Sequence, residues 1–460
     1  MTDAFEDRYA LGVPDEVAEE RPAIERRDVA PARAPAAPFA LRGCVLTPTA
    51  RIDDGYVVVS GPAIASVGSA KPDGVEVFDT GGVILPGLID LHGHPEYNVF
   101  AAWEPPKLFK NRYAWRRSDE YKAIVREPWA RLTDAHDSLL RDLTRYAETR
   151  ALVGGATAVQ GASAKYPDKE EALVRNVDLR IFGGHKARSI IDLGRTDEED
   201  RKRYRKQIDD GDVTALYVHL AEGVDDSSRQ ELEELVNARL LTEATVIIHG
   251  TALSADQLTD VKDAGAKMVW SPQSNLRLYA QTTAAAEALR LGIPMGLGAD
   301  WLPSGSQSLL GELKVARRQL QLQRTSLSPA QLAKKLVQMV TSDAAEIAGL
   351  GDRLGKLDEG RLADVLVLER HVQDPWVNVV EAEPSWVQLV TIGGDLAYGA
   401  KAWVDELGSP GEAEDVIAWG KPMTLDTSYA AASGDSPPIR LGEIRARLLD
   451  RYPQTGPIFA

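Results

Sequence analysis

Histidines are the residues of this chain best suited to chemistry. Only seven occur, and four of them, His92, His94, His219 and His249, stand at the ends of apolar runs typical of buried strands. His92 and His94 are two residues apart, so the side-chain period of a strand points both imidazoles to one side. An HxH tripeptide alone is about as often a pair of structural histidines as a pair of metal ligands.

Two carboxylates accompany these histidines and change that balance. Glu222 follows His219 by three residues in TALYVHLAEG, and Asp300 ends the run IPMGLGAD. Imidazole and carboxylate are the ligand types that Zn²⁺ or Fe²⁺ uses at neutral pH, with one position left for water. A lone aspartate is usually a cap and a lone HxxE an exposed helix pair, but such readings fit poorly when the residues follow successive strands. We therefore predict a site for one divalent metal ion.

A metal at this site would explain why the carboxylates are needed. The pKa of water falls far below its ordinary value, to about 7, on a zinc ion, which creates a nucleophile at neutral pH. A leaving nitrogen also requires a proton, and a carboxylate that accepts and then donates it contributes about 10² to 10⁴ fold in rate. Glu222 is the candidate for this proton shuttle, while Asp300 stays ionised on the metal and holds the attacking water.

The elements that must position these residues alternate between apolar runs and helical stretches, as in βα units around a parallel sheet. Seven runs are predicted as parallel strands: VILPGLIDLH, ATAVQG, VDLRIFGG, TALYVHL, ATVIIHG, AKMVWSP and IPMGLGAD. An eighth would close a barrel, and RSIIDL is the one candidate for it. The charged run DEEDRKRYRKQIDD is predicted as a solvated helix, and helices are also predicted over 227–240, over 254–264 and from Ser328 with Pro329 at its first position.

The predicted fold is α/β, a distorted (β/α)8 TIM-type barrel with a small β-sandwich domain formed from both chain ends. Residues 1–39, rich in Glu, Arg, Ala and Pro, are predicted to form a flexible arm. The small β domain takes residues 40–82 and 355–460, and the barrel takes residues 83–354.

Composition excludes several classes of protein. Hydrophobic residues make up 44% and charged residues 27%, as in an ordinary soluble globular protein. The net charge of -16 would repel a phosphate backbone, so nucleic acid is not expected as a partner. The single cysteine, Cys44, cannot form an intrachain disulfide, and no run of about 18 apolar residues predicts a membrane span. A cytoplasmic location is therefore expected.

Six segments resemble the amidohydrolase superfamily, in its branch of cytosine-deaminase-like and atrazine-chlorohydrolase-like hydrolases. They occur in that family's order: PGLIDLHGHP, HLAEG, IIHGTAL, WSPQSNLRL, LGADWLPSGS and GRLADVLVLE. The combination is specific for the superfamily but not for one substrate. The resemblance implies a barrel with one metal at its mouth, flanked by the small β domain.

The resemblance also implies roles for individual residues. The metal ligands would be His92, His94, His219 and Asp300. Glu222 matches the proton shuttle, and His249 matches the histidine that contacts the water or the substrate. Zinc is the expected ion, with iron, manganese or nickel as alternatives. The lysine that bridges two metals in binuclear relatives is not evident, which favours one metal, and dimers or larger homo-oligomers are common among such relatives.

Substrate contacts are expected mainly from the long aromatic loop after Pro95. The predicted contacts are Tyr97, Asn98, Arg112, Trp115, His185, Asn275, Trp301 and Ser304. The aromatic residues are as consistent with packing against the barrel rim as with substrate binding. Arg112 would either clamp a substrate carboxylate or pair with an acidic neighbour.

These features predict a metal-dependent hydrolase that cleaves a non-peptide C–N bond of a small, nitrogen-containing and heterocyclic molecule, as a deaminase or cyclic amidase. Two alternatives use the same sequence: a hydrolytic dechlorinase with an almost identical site, and a catalytically silent relative that acts as a scaffold. A silent relative is expected to have lost metal ligands or the shuttle, whereas this chain keeps both sets of residues.

Overall fold

The structure, a computed structural model, describes residues 37–134, 136, 138–161, 173–177, 187–408, 413–428 and 440–458. Most of the predicted N-terminal arm lies outside the described residues. The domain boundaries of the sequence analysis stay a prediction. No helix in the described part of the chain combines the length and apolar character needed to cross a bilayer.

Strands and helices alternate through the middle of the chain, and strands dominate both ends. The strands are β1 (Phe39–Leu46), β2 (Arg51–Ser60), β3 (Ala63–Gly68), β4 (Glu76–Pro86), β5 (Leu88–Asp90), β6 (Ala156–Val159), β7 (Arg175–Asn176), β8 (Ala187–Ile190), β9 (Ala215–Leu220), β10 (Thr245–His249), β11 (Lys267–Trp270), β12 (Met295–Leu297), β13 (Val365–Leu368), β14 (Val387–Ile392), β15 (Asp395–Ala400), β16 (Glu414–Ala418) and β17 (Lys421–Leu425).

Most of the helices lie between the parallel strands or after them. They are α1 (Arg112–Arg116), α2 (Asp119–Tyr121), α3 (Glu127–Leu132), α4 (Leu140–Val153), α5 (Glu198–Asp209), α6 (Asp226–Asn237), α7 (Ala255–Asp263), α8 (Pro272–Tyr279), α9 (Ala285–Leu291), α10 (Leu309–Leu322), α11 (Pro329–Met339), α12 (Ser342–Ile347), α13 (Pro375–Glu381), α14 (Lys401–Leu407) and α15 (Leu441–Arg451). A π-helical turn (Lys122–Arg126) and short 3₁₀ turns (Pro95–Tyr97, Leu193–Arg195, Pro384–Trp386, Pro453–Ile458) complete the set.

A nine-stranded sheet draws its strands from both ends of the chain. Its order is β16-β17-β15-β14-β13-β4-β1-β2-β3, and all neighbours are antiparallel except β1 and β4. One face buries a cluster that includes Leu41, Val57, Ile84 and Leu389. The sheet leads directly into the parallel strands, because β4 ends only two residues before β5 begins.

The eight strands β5 to β12 are parallel and follow one another in chain order. One sheet has the order β12-β11-β10-β9-β8 and another has β5-β6-β7. Backbone hydrogen bonds join β5 to β12, from Leu91 N to Leu297 O (3.2 Å) and from Asp300 N to His92 O (2.7 Å). The α/β class with parallel strands and a separate sheet is thus confirmed. The seam between β7 and β8 borders residues 178–186, which lie outside the described residues.

The structure describes the fourth predicted strand in full but only the start of the third. The fourth is confirmed, because β8 falls within RSIIDL and its flanking residue. The predicted third strand starts at Val177, directly after β7, and the rest of that run lies outside the described residues. The charged run is confirmed as a helix: α5 buries only Tyr204 and is capped by the side chain of Asp197.

The predicted helix starts are mostly confirmed. Ser254 and Ser328 each form a capping box, with Gln257 and Gln331 respectively. The predicted cap at Ser227 was wrong by two residues, and α6 begins at Asp226. Asp225 caps α6 instead, and its side chain accepts a hydrogen bond from Ser228 N, since a carboxylate satisfies the free amides of a first turn well.

Candidate active site

Four histidines and one aspartate meet where the parallel strands end. His92 Nε2 lies 3.1 Å from His219 Nε2, and Asp300 Oδ1 lies 3.6 Å from Nε2 of both His92 and His94. Two overlapping groups, His92, His94 and His219, and His92, His249 and Asp300, each place their ligand atoms within 4.8 Å of one another. All are buried except His94, whose side chain is 26% exposed. The predicted metal ligands therefore come together in space.

Burial sets the protonation state of these imidazoles. It lowers the pKa of His92 and of His219 well below the usual value, and neighbouring histidines lower both further. It lowers the pKa of His94 to about 4. The imidazoles are therefore neutral at pH 7 and offer lone pairs rather than positive charge.

The donor set fits a divalent cation. Neutral imidazole nitrogen and carboxylate oxygen are both ligand types that zinc accepts in proteins. His219 Nδ1 is buried and has no hydrogen-bond partner among the described residues. Burial raises the pKa of Asp300 well above its usual value, an effect that the positive charge of a cation would oppose.

Local backbone conformation aims the side chains inward. In β9, Tyr217 belongs to a buried cluster that includes residues of β5, β6, β8, β10 and β11, and two-residue alternation carries His219 to the same face. In β10, Ile248 belongs to that cluster, so alternation alone would turn His249 away from it. The φ of His249 is instead 69°, in the left-handed region, and its ring centroid lies 4.8 Å from that of His92. Asp300 uses the same conformation, with a φ of 62°.

Polar side chains fix the orientation of two imidazoles. Ser271 Oγ is hydrogen-bonded to His92 Nδ1 at 2.8 Å. Asn275 Oδ1 accepts a hydrogen bond from His249 Nδ1 at 2.9 Å, and its amide donates to Thr282 Oγ1 at 3.2 Å. Asn275 was predicted to contact substrate, but its side chain is fully buried and positions His249 instead. The sequence around Asn275 gave no sign of its contacts with His249 and Thr282.

Glu222, the predicted proton shuttle, is buried beside His249. Its Oε2 lies 3.6 Å from His249 Nε2, and its Oε1 accepts a hydrogen bond of 2.7 Å from the hydroxyl of Tyr279. Sequence reasoning missed Tyr279. It ends α8, and no motif or strand-end pattern distinguishes it from an ordinary core tyrosine.

Arg112 is placed differently from the predicted substrate clamp. It is buried, its Nη1 donates to the backbone oxygen of His219 at 2.8 Å, and its Nη2 lies 3.2 Å from Glu231 Oε1. The other oxygen of Glu231 accepts from Ala221 N at 2.7 Å. Of the two roles considered from sequence, the structure supports pairing with an acidic neighbour, because both Nη atoms are already hydrogen-bonded within the protein.

The remaining predicted contacts divide between packing and the rim of the site. Trp115 and Trp301 are buried with ring centroids 5.6 Å apart, and Tyr97 lies 5.5 Å from Trp301 and 6.5 Å from His94. Ser304 is fully buried and hydrogen-bonded to Ser274 Oγ at 2.7 Å. Three other predicted residues have simpler outcomes: the Asn98 side chain accepts from Leu302 N at 2.8 Å, Trp301 Nε1 donates to Ser304 Oγ at 2.5 Å, and His185 lies outside the described residues.

Comparison with known proteins gives a consistent picture. A model of the amidohydrolase family matches residues 215–397. A 5-methylthioadenosine/S-adenosylhomocysteine deaminase of Halobacterium salinarum is 27% identical, across 77% of this chain and 89% of its own length.

Two solved structures share the fold at low sequence identity. An adenosine deaminase of Xanthomonas campestris with bound zinc is 16% identical, with a TM-score of 0.68 over 92% of this chain and 99% of that one. A variant of the atrazine chlorohydrolase of Arthrobacter aurescens, complexed with zinc and atraton, is 20% identical, with a TM-score of 0.63 over 78% of this chain and 94% of that one. The likeness extends over nearly the full length of both proteins.

Proposed function

We propose that the chain is a member of the amidohydrolase superfamily and acts as a metal-dependent deaminase that replaces an exocyclic amino group of a small nitrogen heterocycle with oxygen. As a hydrolase of this superfamily it acts on carbon–nitrogen bonds other than peptide bonds. One observation carries the proposal: His92, His94, His219 and Asp300 converge beside Glu222, a carboxylate that is buried but not used as a ligand.

Each side chain would have a separate task. His92, His94, His219 and Asp300 would hold a divalent cation, and such an ion lowers the pKa of a water ligand to about 7. Asp300 would orient the attacking water through its carboxylate, and His249 would contact the water or the heterocycle.

Glu222 would move the proton. Its Oε2 would accept a proton from the attacking water while the oxygen bonds to the ring carbon, and would then donate it to the amino nitrogen. The carbon–nitrogen bond breaks and ammonia leaves. The ring keeps the oxygen of the water, which becomes a carbonyl when the remaining hydroxyl proton passes to the adjacent ring nitrogen. General acid/base transfer of this kind contributes about 10² to 10⁴ fold in rate.

The substrate class follows from the relatives rather than from the pocket. The related proteins are named for deamination of methylthioadenosine, S-adenosylhomocysteine, adenosine and 8-oxoguanine, all of which carry a purine ring. Tyr97, partly exposed beside His94, supplies an aromatic face next to the metal ligands against which a flat ring can stack.

We further propose zinc as the ion, a cytoplasmic location and a homo-oligomeric assembly. Zinc is supported by the imidazole-rich donor set and by the zinc in two structural relatives. The lone, buried Cys44 is compatible with a reducing compartment. Metal analysis, cell fractionation and light scattering test the three statements separately.

A substrate panel with matched variants tests the function. The zinc-loaded protein would be incubated with 5-methylthioadenosine, S-adenosylhomocysteine, adenosine, guanine, 8-oxoguanine, atrazine and a hydantoin, and ammonia and chloride would be measured. We expect ammonia from at least one purine, loss of at least about 10² fold in Glu222→Gln with the metal retained, and full activity in Glu233→Gln, which removes an exposed acid of α6.

The other outcomes separate the alternatives. Chloride release from atrazine without ammonia from the purines would indicate the dechlorinase. No stoichiometric metal and no turnover would indicate the silent scaffold. Full activity in Glu222→Gln would refute the proton-shuttle assignment.

A further inference from the structure

A chain of two buried hydrogen bonds ends on the proposed proton shuttle. The indole Nε1 of Trp115 donates to the hydroxyl oxygen of Tyr279 at 2.9 Å, and that hydroxyl donates to Glu222 Oε1 at 2.7 Å. All three side chains are less than 10% exposed. The chain joins α1, the end of α8 and the segment after β9, three parts of the sequence separated by more than fifty residues each.

The chemistry of the donors fixes the direction of this chain. An indole N–H can only donate, so it must use the hydroxyl oxygen of Tyr279 as its acceptor. The hydroxyl proton of Tyr279 therefore points to Glu222 and cannot be turned elsewhere without losing a buried hydrogen bond. Burial, and then the negative charge of Glu222, raise the pKa of Tyr279 well above its usual value, so the hydroxyl keeps its proton.

The consequence concerns the two oxygens of Glu222. A glutamate carboxyl group is nearly symmetric about its last torsion, so either oxygen of a free side chain can carry the proton. Here Oε1 is already an acceptor of the Tyr279 proton. Oε2, which lies 3.6 Å from His249 Nε2, is left as the oxygen that gains and loses a proton.

We propose that Tyr279, held in place by Trp115, is a positioning residue that assigns proton transfer to Oε2 of Glu222 and keeps that oxygen directed at the reacting atoms. This inference rests on the proposed function, because it presupposes Glu222 as the proton shuttle. The backbone supports the placement: Ala280, directly after Tyr279, adopts a φ of 52° and its N–H bonds Leu276 O at 2.9 Å, which ends α8 at Tyr279.

Three conservative variants test the proposal on the zinc-loaded protein. With the purine that is turned over fastest, we expect Tyr279→Phe to lower kcat by about 10 to 100 fold, the loss of one hydrogen bond to a charged group, with KM changed by less than about two fold. Trp115→Phe keeps an aromatic ring and should lower kcat by a smaller factor, about 3 to 10 fold. The double variant should equal Tyr279→Phe alone, since Trp115 acts through Tyr279.

Tyr121→Phe is the matched control. Tyr121 packs 5.1 Å from the Trp115 ring, and its hydroxyl has no hydrogen bond to a described residue. Loss of a hydroxyl from the same aromatic cluster should therefore leave kcat unchanged. Zinc content and the melting temperature, measured for each variant, identify any loss that comes from the fold; if Tyr279→Phe does not fold, Trp115→Phe carries the test.

A second readout needs no turnover. The indole ¹⁵N–¹H resonance of Trp115, assigned by its absence in Trp115→Phe, should move in Tyr279→Phe and also in Glu222→Gln, which the indole senses only through Tyr279. The resonance of the exposed Trp419 should stay in place in both variants.

The outcomes distinguish a failure of the positioning role from a failure of the proposed function. A Trp115 resonance that ignores Glu222→Gln, near-normal kcat in Tyr279→Phe, or a double variant whose loss is the product of the two single losses overturns the inference while leaving the function intact. Full activity in Glu222→Gln overturns the proposed function whatever the indole resonance does.

Discussion

Replacing Arg112 by methionine is expected to release the segment that carries His219 and Glu222. The guanidinium bonds the carbonyl of His219, and its partner Glu231 holds the amide of Ala221. Ala221 itself has a φ of 53°, which an alanine adopts only where its surroundings impose it. The ion pair thus fixes both ends of a strained turn between His219, the proposed metal ligand, and Glu222, the proposed proton shuttle.

The magnitude follows from burial. Removal of one partner from a buried ion pair costs about 3–5 kcal/mol, because the other charge stays in a poorly solvated place. At about 2 °C per kcal/mol for a domain of this size, the melting temperature should fall by about 6–10 °C. Arg112→Lys keeps the charge but not the fork geometry, and should lose less.

The stability deficit of Arg112→Met should depend on pH, and the pKa of Glu231 gives the direction of that dependence. Burial raises the pKa of Glu231 to about 7, against the lowering effect of Arg112, so its burial penalty develops as pH rises from the unfolded value of about 4.5 and is complete above about 7. Without Arg112 the penalty at high pH grows. The deficit of Arg112→Met should therefore be larger at pH 8 than at pH 6, where a protonated Glu231 no longer needs a cationic partner.

Differential scanning calorimetry of Arg112→Met and Arg112→Met/Glu231→Gln measures this directly. The double variant should recover part of the loss, because glutamine removes the unpaired charge of Glu231 and can still accept from Ala221 N. A double variant no more stable than Arg112→Met would refute the ion-pair account. An unchanged melting temperature with a raised KM would instead return Arg112 to the role of substrate clamp.

Three further predictions concern the metal ligands. Chelation should abolish activity and lower the melting temperature, zinc should restore both, and His219→Ala should recover neither; zinc at 100 times its Kd adds about 2.7 kcal/mol to the native state, and calorimetry with metal analysis reports it. Metal-free protein should lose stability as pH falls from about 6.5 toward 4, because burial lowers the pKa of His94 to about 4 and the unfolded chain binds the proton first; urea titration across that range checks the sign. Gly298→Ala should cost about 1–3 kcal/mol and reduce zinc content, since the added Cβ would lie 2.3 Å from the Cβ of His92, whereas Gly68→Ala meets nothing within 4 Å and should change neither quantity.

The residues of the candidate site were predicted well because they lie at or just after the ends of apolar strands. Apolar runs with His or Asp at their ends predicted which residues face one another, because parallel strands bring their carboxyl ends to one edge. Even the fourth strand, β8, was within reach despite its short length. The short strand β7 was not predicted because Arg175, at its start, interrupts the apolar pattern; its guanidinium is paired with Asp364, 189 residues away.

Roles that depend on distant partners could not be read from the chain. Arg112 looked like a substrate ligand because its partner Glu231 lies 119 residues later on a different helix. Asn275 also looked like a substrate ligand. Its hydrogen bond to His249 depends on where α8 begins, and the sequence does not show that position. Tyr279 was missed for the same reason: its neighbours in sequence are ordinary, and its function depends on the two side chains it contacts.

The electrostatics of the buried carboxylates favour a bound cation more strongly than the geometry of the site does alone. Burial raises the pKa of Asp90 to about 7 and that of Glu312 to about 8, and the charges of both act on Asp300, whose own pKa is raised well above its usual value. Buried carboxylates are costly unless they are paired, and the imidazoles around Asp300 are neutral at pH 7. A divalent cation between Asp300 and His92 would supply the missing positive charge. The same ion that would acidify water would therefore also stabilise the fold around it, which is why metal removal should affect stability and turnover together.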